Sequence, residues 1–260
     1  MGEQTVLVKR EKGVGILTLN RTESMNSVSR GMLAELFGAI DELRHDEDLR
    51  TVIITGAGEK AFCSGADLKE RTTMTPAEVR RYIQTIRNVF TLVEEMPVPV
   101  ICAINGVALG GGTELALSCD IRIAADSARM GLTETSLAII PGAGGTQRLP
   151  RIIGMARAKE MIFTADRIDA ARALEIGLVN RVVPLASLME ASLEMASRIA
   201  ACGPVAIRMA KRSINKGMQM DLASAMAFET TCYDVLIPTE DRLEGLAAFK
   251  EKRKPDYKGR

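Results

Sequence analysis

Apolar and polar residues alternate at the start of the chain. "TVLVKRE" and "VGILTLN" are short strand patterns separated by Gly13 and Gly15, which predicts a hairpin. The period then changes. Between Ser29 and His45, the apolar positions Met32, Leu33, Leu36, Phe37, Ile40 and Leu43 fall at helical spacing and predict one buried stripe. "TVIITG" predicts a buried strand. "TPAE" predicts a helix start, with Thr75 as N-cap, Pro76 as first residue and Glu78 closing a capping box. That helix carries the stripe Val79, Tyr82, Ile83, Ile86, Val89, Phe90 and Val93, and Pro97 stops it. "VPVICAIN" predicts a strand, "NGVALGGGTELALSCD" a turn into a helix, and "DIRIAA" another strand. Strands alternating with helices imply an α/β fold with mostly parallel pairing. Beyond Pro184 the strand patterns cease, and helices broken at Gly203-Pro204, near Gly217 and at Pro238 follow. We therefore expect an α/β core over residues 1–195 and a helical region over 196–260.

Composition narrows the function classes. The chain has 260 residues, 47% hydrophobic and 26% charged, enough for one large domain with an appendage. A net charge of +1 and the absence of Trp argue against a nucleic-acid surface, and no apolar run reaches membrane-spanning length. The five cysteines are odd in number and none forms a CxxC pair. That pattern points away from disulfides and zinc and towards a reducing compartment. "MGEQTVLVKREKG" lacks the apolar run of a signal peptide, and Val6 breaks the acylation pattern that begins at Gly2. The expected location is the cytoplasm, or an organelle matrix after processing.

The single histidine, His45, sits in "RHDED" at an expected helix end and reads as a solvated residue. Acid–base chemistry near neutral pH then falls to carboxylates, Lys, Tyr or Cys. "GAGGTQR" is not a G-x-G-x-x-G fingerprint and reads as a tight loop opening a helix. "AFCSGADLKE" and "LGGGTELALS" are more informative, because small residues in each bare backbone N–H groups at a turn or helix start. Two such groups aimed at one point form an oxyanion hole. Glu114 lies in the first turn of its helix among Leu115, Ala116 and Leu117, so the turn reads as buried. The helix dipole favours its anion by only about 0.3–1 kcal/mol, too little to justify burial. Glu134 lies between apolar residues just before a glycine loop. Two carboxylates sharing a dry pocket split their pKa values, so one gives a proton while the other accepts.

Three motifs in order, "AFCSGADLKE", "INGVALGGGTELALSCDIRIAA" and "GLTETSLAIIPGAGGTQRLPRIIG", resemble the crotonase, or enoyl-CoA hydratase/isomerase, superfamily. The likeness runs from "GVGILTLNRTESMNSVS" to "DRLEGLAAFKEKRKPDYKG". It implies a spiral of ββα units with a C-terminal helical oligomerisation region. It also implies hydration of a 2-enoyl-CoA thioester to a 3-hydroxyacyl-CoA, in fatty-acid or branched-chain amino-acid breakdown. Coenzyme A would be part of the substrate, with no further cofactor and no metal. Carried over by position, the oxyanion N–H groups are those of Ala66 and Gly111. Glu114 would take a proton from water and Glu134 would deliver one to Cα. Asn26, Asp67, Leu68 and Lys69 would line the CoA groove with Ala66 and Gly111, and Arg30 is a further candidate cation.

Leu132-Thr133 replaces the Gln-Pro pair that precedes the second glutamate in many short-chain hydratases. "ADLKER" and the closing segment look more like the methylglutaconyl-CoA hydratase branch. That branch also binds RNA through a lysine-rich helix, but the matching stretch here, "MLAELFGAIDELRHDEDLRT", is acidic, so no nucleic-acid partner is expected. Alternatives within the fold are that hydratase and an enoyl-CoA isomerase; outside it, a non-enzymatic RNA-binding protein. The family forms trimers or dimers of trimers. Leu222, Met226, Phe228, Leu236, Leu243, Leu246 and Phe249 are apolar positions that such an assembly would bury.

Overall fold

In the computed structural model, which describes residues 4–260, the chain begins with β1 (Val6–Glu11), β2 (Val14–Leu19) and α1 (Arg30–Arg44). Gly2, where acylation was excluded, lies outside the described residues. Next come β3 (Thr51–Gly56), β4 (Ala61–Cys63), α2 (Leu68–Arg71) and α3 (Pro76–Glu94). Then follow β5 (Val100–Ile104), β6 (Val107–Leu109) and α4 (Gly111–Ser118). The third group is β7 (Ile121–Ala125), β8 (Arg129–Gly131), α5 (Gly145–Ile153) and α6 (Met155–Thr164). The core closes with β9 (Ile168–Asp169), α7 (Ala170–Glu175), β10 (Arg181–Val183) and α8 (Leu188–Ala200).

Two sheets result. The larger has the order β1-β2-β3-β5-β7-β10, antiparallel only at the expected hairpin. The smaller has the order β4-β6-β8-β9, and its first three strands run parallel. Each of the three middle repeats, beginning at β3, β5 and β7, places one strand in the large sheet, one in the small sheet, and then a helix. This is the ββα spiral the family resemblance implies. Every residue of β3 and β5 is buried, as a parallel sheet covered on both faces requires. Alternate residues explain how. Val52, Ile54, Val100, Cys102 and Ile104 face the main core with α1 and α3, whereas Ile53, Ile101 and Ile123 face Leu188 and Ala196 of α8.

The helix ends follow their capping chemistry. Ser29 Oγ accepts from Met32 N at 3.1 Å, and Thr75 and Glu78 form the reciprocal box. One expected position of the α1 stripe is displaced, and Val79 and Ile83 of the α3 stripe are half-buried. Phe37 is exposed, and Ala39 takes its place beside Met32, Leu33, Leu36, Ile40 and Leu43. Phe37 sits on the flank of that face and lines a groove of about 670 Å³ between α1 and α3.

Residue 195, the expected boundary, falls inside α8, which packs on the large sheet; the chain breaks at Gly203 instead. From there α9 (Pro204–Gly217), α10 (Leu222–Asp234) and α11 (Glu240–Glu251) follow, broken where Gly217 and Pro238 predicted. Lys211 of α9 fastens this region to the core. Its Nζ donates to Asp120 Oδ2 at 2.7 Å and to Val98 O at 3.0 Å, and its side chain is only 8% exposed. Asp120 Oδ2 also accepts from Val100 N. Lys211→Met strips the cation from a largely buried carboxylate and is expected to cost about 3 kcal/mol in urea unfolding. Adding Asp120→Asn to it should recover part of that loss; equal stability of the single variant and wild type would refute the latch. Among the described residues, no helix is long and apolar enough to cross a membrane.

Candidate active site

The three parallel strands of the small sheet end side by side, and each is followed by a functional turn. In parallel α/β architectures ligands gather at such carboxyl ends. After β4, Gly65 adopts a φ of 99°, and a β-carbon there would lie 2.8 Å from Leu109 O. Its carbonyl accepts from Val28 N, and Asp67 N donates back to Val28 O. Ala66 sits between these two bonds, and its own N–H has no acceptor among the described residues. After β6, Gly110 has φ 51° and ψ −121°, a conformation open only to glycine, and it turns the chain into α4. Gly111 opens that helix, so its N–H is one of the groups a helix start leaves free. Gly65 packs directly on this turn: the position of its β-carbon would be 3.2 Å from Gly111 N, and that of Gly111 3.5 Å from Ala66 N. Two unpaired N–H donors therefore stand on adjacent turns at the floor of one cleft.

Two acids flank them. Glu114, 3% exposed, lies one turn into α4. Its Oε1 accepts from Ala143 N at 2.8 Å and from Gly145 N at 2.7 Å. The "GAGG" loop, a mere tight turn by sequence, is thus a cradle for this carboxylate. Burial pushes the Glu114 pKa up, and the two N–H bonds pull against that rise. Glu134 follows β8 and opens a 3-10 turn, Glu134–Leu137. Burial, reinforced by the charge of Glu114, pushes its pKa up to about 7. Its Oε2 is buried and has no partner among the described residues. Its Oε1 lies 3.1 Å from where a Gly110 β-carbon would be, so the carboxyl packs directly over that glycine.

The cleft holds about 610 Å³ and is lined by Ala66, Gly111, Glu114 and Glu134 together. Leu68 also lines it. The other expected groove residues do not. Asn26 is buried, accepting from Arg21 N and donating to Ala57 O and Ala61 O, so its side chain is fully used in holding the loop. Asp67 caps α2 through Lys69 N and Glu70 N and pairs with Arg21 at 3.0 Å. Lys69 lies off the cleft wall, and Arg30 belongs to the separate groove beside Phe37.

Several groups in the site were invisible in the sequence. Ala143 and Gly145 are among them, as are Arg71 and Arg87, which both line the cleft. Leu68 and Arg71 stand three apart on the single turn of α2, a spacing that puts both on one face. That spacing was the available signal.

Comparison with known proteins identifies the family. The family model for enoyl-CoA hydratase/isomerase matches residues 9–260. The mitochondrial methylglutaconyl-CoA hydratase of Homo sapiens is 50% identical over 257 residues, covering 97% of this chain and 76% of that protein. The short-chain-enoyl-CoA hydratase of Clostridium acetobutylicum is 45% identical over 249 residues, covering 96% and 95% respectively. The crystal structure of an enoyl-CoA hydratase from Bacillus anthracis superposes with a TM-score of 0.97 at 54% identity, covering 99% of this chain and 100% of that one. An acid pair beside two free N–H donors, on a two-sheet spiral shared over the whole chain, therefore makes this protein a member of the enoyl-CoA hydratase/isomerase family.

Proposed function

We propose that the protein is an enoyl-CoA hydratase, a hydro-lyase that adds water across the 2,3 double bond of a 2-enoyl-CoA thioester. The thioester oxygen is held by the N–H groups of Ala66 and Gly111. Glu114 orients a water and takes its proton as the oxygen bonds to Cβ. The π electrons move onto the thioester oxygen, where the two donors stabilise the enolate charge. Glu134 then delivers its proton to Cα as the carbonyl re-forms, giving the 3-hydroxyacyl thioester. Return of a proton from Glu114 to Glu134 restores the enzyme. The observation that carries this reading is the division between the acids. Glu114 has two N–H partners that favour its anion, whereas Glu134 has a buried Oε2 with no partner among the described residues, and burial pushes its pKa up to about 7.

Crotonyl-CoA tests it directly. Hydration removes the conjugated double bond, so the thioester's conjugated absorbance should fall as 3-hydroxybutyryl-CoA forms. No loss with crotonyl-CoA or with longer and branched enoyl thioesters would end the proposal. The pH dependence follows from both acids. Hydration needs Glu134 protonated and Glu114 ionised, so kcat/KM should pass through a maximum, falling towards acid as Glu114 takes up a proton and falling tenfold per unit well above about pH 7 as Glu134 loses its own. Dehydration uses the same pair with its one proton on Glu114 instead, so its kcat/KM should follow the same pH profile. A hydration kcat/KM that keeps rising through pH 8 would contradict a proton donor that ionises near pH 7.

The helical region supports an assembly of identical chains. Leu222, Met226, Leu243, Leu246 and Phe249 are exposed, Phe249 at 87%. Side chains of this size on one appendage fit burial against other copies, as a trimer or dimer of trimers. Sedimentation equilibrium measures the mass, and a monomer at micromolar concentration would contradict it. The five free thiols fit a reducing compartment, and we place the protein in the cytoplasm.

A further inference from the structure

The glycine loop that holds Glu114 is itself held, peptide by peptide. The peptide joining Gly142 to Ala143 gives one N–H to Glu114 Oε1, and its oxygen accepts from Nε and Nη2 of Arg87 at 3.1 and 3.0 Å. The peptide joining Gly144 to Gly145 gives the other, and its oxygen accepts from Gln147 N and Arg148 N as α5 starts. Between them lies the peptide joining Ala143 to Gly144. Its oxygen accepts from Arg148 Nη1 at 3.0 Å. It borders Gly144, at φ 110°, where the missing side chain leaves rotation of the peptide little hindered. The bond from Arg148 therefore fixes the angle between the two N–H groups that meet on Glu114.

The surroundings of Arg148 suit that task. Its side chain is only 13% exposed. Nε and Nη2 both donate to Glu94 Oε2, at 3.1 and 2.6 Å, and Nη2 also donates to Thr91 Oγ1 at 3.3 Å. Glu94 ends α3 and Thr91 lies one turn before it, so the long helix anchors the guanidinium. The remaining arm, Nη1, reaches Ala143 O and fills the place that a Gly144 β-carbon would take. Acceptors on three residues suit the branched guanidinium, and a single ammonium cannot span them. Arg148 does not line the cleft, so it acts on the site through the loop.

We propose that Arg148 is a positioning residue for hydration: braced by Glu94 and Thr91, it sets the N–H groups of Ala143 and Gly145 and so keeps the Glu114 carboxylate aimed at the water it deprotonates. The proposal rests on the hydratase reading of the same cleft. From the helices packed on α4, the charged groups facing Glu114 are Arg87 of α3 and Arg148 of α5, with Glu134 across the cleft and Arg71 beside it. β6 is apolar, and β4 adds no charge there because burial pushes the Cys63 thiol up to about 12. Loss of Arg148 acts on Glu114 twice in the same direction. The N–H groups that favour its anion slacken, and a nearby cation goes. Both leave burial freer to raise the carboxyl's pKa.

Arg148→Met keeps the aliphatic stem and removes the fork. With crotonyl-CoA its kcat should fall roughly 10- to 100-fold, since a shift of about 1 Å in a reacting group can cost 10²-fold. The acid limb of kcat/KM should move to higher pH, while the alkaline limb set by Glu134 stays in place. The Kd of butyryl-CoA, measured by calorimetry, should change little. Arg148→Lys should lie between the two proteins in kcat and in its acid limb. A methionine variant that melts lower but keeps the wild-type kcat and acid limb would reduce Arg148 to a structural role and overturn the proposal. If that variant does not fold, the lysine variant decides, and wild-type kcat in it would overturn the proposal. The ¹³C resonance of the Glu114 carboxyl, identified by its absence in Glu114→Gln, asks the same question without turnover. Its titration midpoint should lie higher in Arg148→Met than in wild type. Failure of wild type to hydrate crotonyl-CoA would count against the hydratase reading instead, and this titration would still decide the role of Arg148.

Discussion

Glu134→Gln is expected to lose hydration of crotonyl-CoA by about 10²–10⁴-fold in kcat, the usual worth of a positioned proton donor. The same substitution should make the protein more stable above pH 7. Both effects come from the one carboxyl. In the unfolded chain it ionises near its ordinary value of 4.5; in the fold, burial and the charge of Glu114 delay ionisation to about 7. A carboxyl raised in this way favours the fold only while protonated. Its contribution is whole below pH 4.5, declines as the unfolded chain ionises, and is lost by pH 7. Above that pH the native state carries a second buried negative charge, at a cost of roughly 1–3 kcal/mol. Glutamine keeps the shape without the charge. Scanning calorimetry should show the two proteins nearly level at pH 4.5 and the variant melting higher at pH 8. A variant that melts lower at pH 8, or hydrates at full rate, would contradict the assignment.

Ala66→Pro should lower kcat by about 10²–10³-fold, the loss typical of one missing oxyanion donor. Proline removes an N–H, and here that N–H serves nothing else. The bonds that join this turn to Val28 use Gly65 O and Asp67 N, so the substitution breaks no internal hydrogen bond. The unfolding midpoint should move little while turnover collapses. KM should change less than kcat, because the lost bond is strongest to the enolate. An equal loss of stability and activity would mean that the turn itself had failed. Wild-type turnover would remove Ala66 from the mechanism.

Much of the fold is legible in the chain because its signals are local. Ser29, Thr75 with Glu78, and the breaks at Gly203, Gly217 and Pro238 all act within a few residues, and the helices start and stop there. The small sheet is not legible. β4, β6 and β8 have three residues each, too few for an alternation to register, and they exist because neighbouring strands pair with them. Phe37 was assigned to the core because size and spacing fitted. Only the packing of α1 shows that small Ala39 occupies the stripe and Phe37 its flank. The site shows the same division. The burial of Glu114 can be read from Leu115 to Leu117 around it. Its two N–H partners lie 29 and 31 residues away, and nothing local announces them. Asn26 misled for the converse reason. Its segment matches one that lines the groove in the family, but its amide is spent on the backbone of Arg21, Ala57 and Ala61.

The stacking of the small sheet has a consequence for how such a protein can change. Its working parts arrive from successive rungs: the Ala66 donor after β4, Gly111 and Glu114 after β6, and Glu134 after β8. Each rung is pinned by strand pairing to its neighbour, so replacing the residues of one turn leaves the geometry of the other two in place. The proposed hole for the thioester oxygen takes both its donors from the first two rungs, and the third steadies it, with Gly110 N donating to Gly131 O and the Glu134 carboxyl packed over Gly110. On the proposed roles, mutations that erase or relocate the acid after β8 forfeit proton delivery while leaving both N–H donors in place. A lineage can pass through that halfway stage still holding its substrate, free to acquire a different reaction one turn at a time.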